Sequence, residues 1–126
     1  MNESIIIGFI GAGRTCNSLA LNLNDIGYSV NAVSSRTISS SKYLSNRIKN
    51  CQFYEHPQQV IDNCNLVFIT TPDDSIGKVI EQIKCRPGLG VVHCSGVESS
   101  ALLKKAQLEG AYIASFHPMQ TFPSID

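Results

Sequence analysis

No stretch of this chain stays apolar for the roughly 18 residues that a bilayer-spanning helix needs. Met1-Asn2-Glu3 also lacks the basic residues that open a secretory signal. A membrane is therefore not an expected partner. Charge of one sign is missing too: ten basic residues balance ten acidic ones. That removes the long-range electrostatic reason to expect nucleic acid, while a local basic spot can still hold a phosphate. The cysteines Cys16, Cys51, Cys64, Cys85 and Cys94 form no CxxC pair. A scattered, odd set without metal-ligand spacing reads as reduced thiols in a cytoplasmic protein, with no metal centre. Low-complexity tracts and linkers are absent, and no repeat stands out beyond an alternation of two element types.

What is present is enough apolar side chain for a core. The 126 residues are 43% hydrophobic and 16% charged, which suits one folded domain and argues against disorder. Ile5 to Ile10 is a continuous apolar run, as expected of a strand buried on both faces. Gly11-Ala12-Gly13 follows, and then Leu19, Leu23 and Ile26 recur at helical spacing with Ala20 beside them. Gly27 supplies a left-handed stop, so a helix is expected over 14–26. Strand, glycine turn and helix together open a βαβ unit.

The alternation continues. Tyr28 to Val33 reads as a second strand, and Ser39 to Ile48 as a helix burying Tyr43, Leu44 and Ile48. Gln52 to Tyr54 is a short third strand, and Pro57 opens a short helix through Val60 and Ile61. Leu66 to Thr70 is a fourth strand. Asp73 or Asp74 can cap the next helix, whose buried stripe is Ile76, Val79, Ile80 and Ile83. Gly90 to His93, a helix over 99–108 closed by Gly110, and Ala111 to Ala114 complete the series. Six strands interleaved with helices imply an α/β, doubly wound parallel sheet of the Rossmann type, with order 3-2-1-4-5-6 and a single domain over 1–126.

A diphosphate needs backbone N–H donors, a positive field and room for close approach. The start of the first helix offers unpaired amides and the positive helix end. Gly11 permits the tight turn, and Gly13 lets backbone touch phosphate without an intervening Cβ. Gly11, Ala12, Gly13, Arg14 and Thr15 are thus candidate cofactor-binding residues. The third fingerprint position is Cys16, small and apolar enough to pack helix on strand. A glycine turn without a ligand is the bland alternative, but this turn follows an apolar strand and opens an amphipathic helix.

An NAD site places a carboxylate at the end of strand two, to accept from the ribose 2′-OH. Here that end is Ser34-Ser35-Arg36-Thr37, with no acid. Arg36 can pair with a 2′-phosphate, and Ser35 and Thr37 can add hydrogen bonds, so the expected cofactor is NADP. An ordinary exposed loop arginine is the alternative.

Ligands of open α/β sheets bind beyond the carboxyl ends of the strands. Thr71, Pro72, Asp73 and Ile76 leave strand four there, with Ile76 expected to shield the adenine or ribose. Cys94-Ser95-Gly96 leaves strand five where a nicotinamide would lie, and His117-Pro118-Met119 follows strand six. Ser95 and His117 are the candidate catalytic pair. A histidine with an ordinary pKa near ~6.5 can act as general acid or base, and a serine can orient a carbonyl or hydroxyl. Equally, Ser95 can cap a turn and His117 can bond a backbone carbonyl. His56 precedes a helix and His93 ends a buried strand, so both read as structural. No hydrolase nucleophile elbow and no Walker lysine is present.

Five segments now stand in order: Gly8 to Arg14, Ser35-Arg36, Thr71 to Ile76, His93 to Gly96, and Ser115-Phe116-His117-Pro118-Met119-Gln120-Thr121-Phe122. Together they resemble the Rossmann-like domain of NADP oxidoreductases that carry a C-terminal helical domain of unknown function. That group is similar to pyrroline-5-carboxylate reductase and the F420-dependent NADP reductase. The His-Pro-Met loop is also similar to that of prephenate dehydrogenases, in which a serine after strand five and this histidine contact the substrate. Ser95 and His117 stand at the matching positions.

The resemblance covers essentially the whole chain. It implies an oxidoreductase that moves hydride between NADP and a small carbonyl, imine or alcohol. The sequence departs at Cys16, lacks the prephenate-type lysine near the serine, and does not include the helical domain. In relatives that domain supplies dimerisation and part of the substrate pocket. The resemblance therefore implies cofactor binding more than turnover by this chain alone, and an apolar flank near strand six is an expected route to a homodimer. A non-catalytic dinucleotide-sensing module stays open as an alternative. A methyltransferase that binds S-adenosylmethionine through a Gly-x-Gly turn is disfavoured by Arg36 in place of an acid.

Overall fold

A computed structural model describes residues 4–72, 75–94 and 103–115. Its first element is the apolar run itself: β1 (Ile6–Ile10) is buried from Ile7 onward. The chain then alternates as the hydrophobic pattern requires. α1 (Arg14–Asp25), β2 (Ser29–Ser34), α2 (Ile38–Arg47), β3 (Gln52–Tyr54) and α3 (Pro57–Ile61) form the first half. β4 (Leu66–Ile69), α4 (Ile76–Gln82), β5 (Gly90–His93), α5 (Lys104–Leu108) and β6 (Tyr112–Ser115) form the second. All six strands pair in parallel in the order β3-β2-β1-β4-β5-β6. This is the doubly wound Rossmann order, and its switch point lies between β1 and β4.

Two apolar layers sandwich the sheet. One gathers Ile7 and Phe9 of β1 with Cys16, Leu19 and Ala20 of α1, Leu44 of α2, and Phe68 of β4. The other gathers Ile10, Val67 and Ile69 with Val60 and Ile61 of α3, Ile76, Val79 and Ile80 of α4, and Ala106 of α5. In β4 the alternation is direct, since Phe68 faces one layer and Val67 and Ile69 face the other. α1 and α2 therefore cover one face, and α3, α4 and α5 the other. Phe9 and Phe68 are register partners and stack at 5.1 Å between centroids. Gly8 lets α3 close on β1: a Cβ there would lie 2.6 Å from Val60 Cγ1.

Several expectations change in detail. α1 ends at Asp25, and Ile26 is 70% exposed instead of completing the buried stripe. The cause is the stop that Gly27 makes. At φ +104 it reverses the chain, its N–H donates to Asn24 O, and Tyr28 N–H donates to Leu23 O. That carries Ile26 past the helical stripe. Tyr43 also faces outward, at 60% exposed. Leu44, Ser41 and Ser45 form the buried side of α2, and the Arg47 guanidinium lies over the Tyr43 ring. The N-cap of α4 is Ser75, where Asp73 or Asp74 was expected; both aspartates lie outside the described residues. The expected start of the fifth helix at Ser99 lies outside them as well. Among the described residues, no helix is long and apolar enough to cross a membrane.

Candidate functional site

Every loop at the carboxyl edge of β1, β2 and β4 is tied to its neighbour by backbone. Gly11 N–H donates to Ser34 O at 2.7 Å, joining the first turn to the end of β2. On the other side Thr70 N–H donates to Ile10 O at 2.9 Å. The glycine turn is thus fixed from both sides before any ligand arrives. Gly11 has φ +106, a left-handed conformation that a side chain disfavours. A Cβ there would also come within 2.8 Å of Thr71 N.

Gly13 differs. Its φ is −88 and a Cβ added to it would meet nothing within 4 Å. What its missing side chain leaves is free approach to the start of α1. That helix end carries no side-chain cap and no acid in its first turn. Its leading amides are left for another acceptor, in the positive field of the helix. Sequence reasoning missed the residue that holds this turn. Asn17 Nδ2 donates to Gly13 O at 2.8 Å and to Ala12 O at 3.2 Å. An Asn one turn into a glycine-opened helix was the available signal.

After β2, Ser35 Oγ donates to Thr37 O and closes the loop on itself. Thr37 is the N-cap of α2 and makes no side-chain cap bond. Arg36 is exposed, between these two. After β4, the Thr70 hydroxyl donates to Gly11 O. The Thr71 hydroxyl oxygen is buried and has no hydrogen-bond partner among the described residues.

These loops surround a cleft of about 580 Å³. Its lining brings together Gly11, Ala12, Gly13, Arg14, Thr15, Ser35, Arg36, Thr37, Thr71, Pro72 and Cys94, all singled out in the sequence. A recess of about 370 Å³ adjoins it and shares Gly11, Ser35, Arg36, Thr71, Val79 and Gln82. The recess is completed by Ile38, Glu55, His56 and Pro57, from the starts of α2 and α3. Ile76 is not part of either lining. It is 1% exposed and turned into the core beneath α4, while Lys78, Val79 and Gln82 face the cleft. Ser40, Lys78, Gln82 and the Glu55-His56-Pro57 turn were not legible as site residues, because only tertiary packing turns them to this edge. Asp73, Ser95 and His117 lie outside the described residues.

Arg14, Arg36 and Lys78 line the wide part of the cleft, and no carboxylate does among the described residues. Three cationic side chains are thus gathered at one cleft in a chain of zero net charge. All five cysteines are free thiols. Burial pushes the Cys94 thiol up to about 11, so at neutral pH it is a neutral lining group. Cys16 lies fully buried under the glycine turn, and burial pushes its thiol up strongly.

The chain matches the family model of the Rossmann-like domain over residues 2–118. No curated protein matches it. Among solved structures, it is similar to a protein from Bacteroides fragilis described as an NADP oxidoreductase, at 17% identity and TM-score 0.66. That likeness covers 93% of this chain and 62% of the other. Pyrroline-5-carboxylate reductase from Coxiella burnetii aligns at 20% identity and TM-score 0.72, over 82% of this chain and 40% of that one. An imine reductase from Aspergillus terreus, in complex with NADPH4 and dibenz[c,e]azepine, aligns at 14% and 0.74, over 89% and 40%. At these identities the likeness is one of fold. The chain spans 62% of the first of these proteins and 40% of each of the other two.

Proposed function

Because the chain belongs to the family of Rossmann-like domains, we propose that its cleft binds NADP(H) and that it serves as the cofactor domain of an oxidoreductase. The observation that carries this reading is the turn at Gly11 and Gly13. Gly11 is a glycine for reasons of fold, strained in φ and pressed against Thr71. Gly13 has no such reason: its backbone is ordinary and its Cβ position opens on free space. A glycine there is explained by a phosphate that must come close to the amides of α1.

Three further features fit the group. Thr71 lines the cleft, its hydroxyl oxygen is buried without a partner among the described residues, and such an orphan is costly unless a ligand or water completes it. Arg36 stands beside an uncapped α2 N-terminus, and both suit the extra phosphate of the phosphorylated adenosine. The apolar side of the adjoining recess, from Ile38 and Pro57, suits an adenine ring.

The bound dinucleotide would supply the hydride chemistry. This chain's residues would bind and orient it. Gly13, Arg14 and Thr15 hold the diphosphate, Arg36 selects the 2′-phosphate, and Thr71, Pro72 and Cys94 border the path toward the nicotinamide. Ser95 follows Cys94 directly in the chain, and His117 follows β6; we assign them to hold and protonate a small carbonyl, imine or alcohol substrate. The imine reductase with NADPH4 in its site and the reductase of pyrroline-5-carboxylate support this class of chemistry.

The test is calorimetric titration of the full chain with NADPH, NADH and S-adenosylmethionine, repeated with Arg36→Ala. The expected outcome is NADPH binding at least about tenfold tighter than NADH, as one charge-assisted phosphate contact allows. Arg36→Ala should remove most of that ratio. Equal affinities for the two dinucleotides in the unaltered chain reject the phosphate assignment, and binding of S-adenosylmethionine alone rejects the cofactor class.

A further inference from the structure

The cleft has two walls of different origin. Arg14 and Arg36 come from the α1 and α2 layer on one face of the sheet. The other wall is α4, packed on the opposite face through Ile76, Val79 and Ile80. Along it Ser75, Lys78 and Gln82 follow at i, i+3 and i+7, which is one helical stripe, and all three line the cleft. Val79, at 8% exposed, is sunk into the core beside them and fixes the rotation of the helix. The direction of the stripe is thus set by packing. Lys78 itself is exposed and, among the described residues, is in no ion pair.

The two parts of the site separate the roles along this stripe. Val79 and Gln82 line both the wide cleft and the recess beside Glu55 and His56. Lys78 lines only the wide part, together with Gly13, Arg14 and Thr15. On the reading of this cleft as a dinucleotide site, that is the diphosphate end. We infer that Lys78 is a phosphate-binding residue, its ammonium pairing with the ligand's diphosphate from the face of the sheet opposite α1.

Charge matching supports it. A 2′-phosphate carries about −1.5 to −2 near neutral pH, and a diphosphate diester adds two more negative charges. Arg14 and Arg36 alone leave roughly half of this without a cationic partner. Lysine also suits the place chemically. Its compact ammonium on a flexible stem tolerates small changes in phosphate position, where the fork of Arg36 demands one orientation. Lys78 should therefore raise affinity for any dinucleotide and discriminate between none.

The experiment is titration of the full chain with NADPH and NADH at low and physiological ionic strength. It compares the unaltered protein with Lys78→Met, Lys78→Arg and Arg36→Ala, with circular dichroism as the check on folding. Lys78→Met is expected to weaken both dinucleotides by the same factor, about three- to tenfold, and to flatten the salt dependence. Lys78→Arg should restore most of the loss. Arg36→Ala should change the ratio of the two affinities instead. Unchanged affinity in a folded Lys78→Met protein overturns the inference. So does a loss confined to NADPH, because the contact would then be to the 2′-phosphate. An unaltered chain that binds neither dinucleotide overturns the cofactor reading, and with it this assignment.

Discussion

The hydroxyl of Thr70 donates to the carbonyl oxygen of Gly11 at 2.9 Å, and so locks the first glycine turn onto the end of the fourth strand. The two residues are 59 positions apart. Their bond crosses the point at which the strand order reverses, where an open α/β sheet leaves its crevice. The floor of the cleft is thereby rigid, and the two glycines of the turn have separable duties.

Substituting each glycine should expose that division. Gly11→Ala places a Cβ 2.8 Å from Thr71 N at a φ of +106. It is expected to lower stability by about 2 kcal/mol or more. Gly13→Ala meets no atom within 4 Å and sits at an N-cap. It should cost no more than about 1 kcal/mol, yet weaken NADPH by more than about tenfold, since its methyl would stand where phosphate approaches. Thermal melts and titrations of the two variants read both effects. A Gly13→Ala chain that binds NADPH like the unaltered one would show that the phosphate does not rest against residue 13.

Cys16 occupies the position at which the dinucleotide fingerprint has a third glycine. It is fully buried, in the same apolar layer as Ile7, Phe9 and Ala20. Restoring the glycine should therefore hurt. Cys16→Gly loses buried side-chain contact and adds a helix-interior glycine, for a destabilisation of about 2 kcal/mol. Cys16→Ala should cost about half as much. Chemical denaturation measures both, and a Cys16→Gly protein as stable as the unaltered one contradicts this packing role.

The thiols give a pH prediction with a definite sign. Burial pushes Cys51 and Cys94 up to about 11, and Cys64 up to about 12, above the ordinary thiol range near 9. The unfolded chain releases these protons first. Their stabilising contribution is therefore complete below about pH 9 and is lost as pH rises toward the folded values. The melting temperature should fall between pH 9 and 11, and it should fall less steeply in a Cys51→Ala/Cys94→Ala double variant. The difference in slope between the two proteins is the quantity to follow. An identical slope in both would remove the thiols from the account.

Much of this molecule was legible residue by residue. The run Ile6 to Ile10 is too apolar for an edge strand, and it forms a central one with neighbours on both sides. Gly27 and Gly110 were expected to end helices, and both have positive φ where the chain turns. Ile26 and Tyr43 show the limit. Each fits a helical stripe by spacing, yet each is exposed, because hydrophobic period fixes a stripe only to within one residue at a helix end or flank. Ile76 is the reverse case. Its place after β4 suggested the ligand, but the rotation of α4 assigns that side to Lys78 and Gln82.

The alternation of strand and helix, the parallel sheet that follows from it, and the glycine turn with a cationic loop beside it are written in the order of the residues. These are local facts of period, turn chemistry and charge. Which side chains meet across the cleft is a matter of three-dimensional packing. That Lys78 of α4 shares a cavity with Arg36 depends on the sheet standing between two helical layers, and on the angle at which Val79 locks one of them. No sequence spacing encodes such an angle, because it is set by packing between residues far apart in the chain.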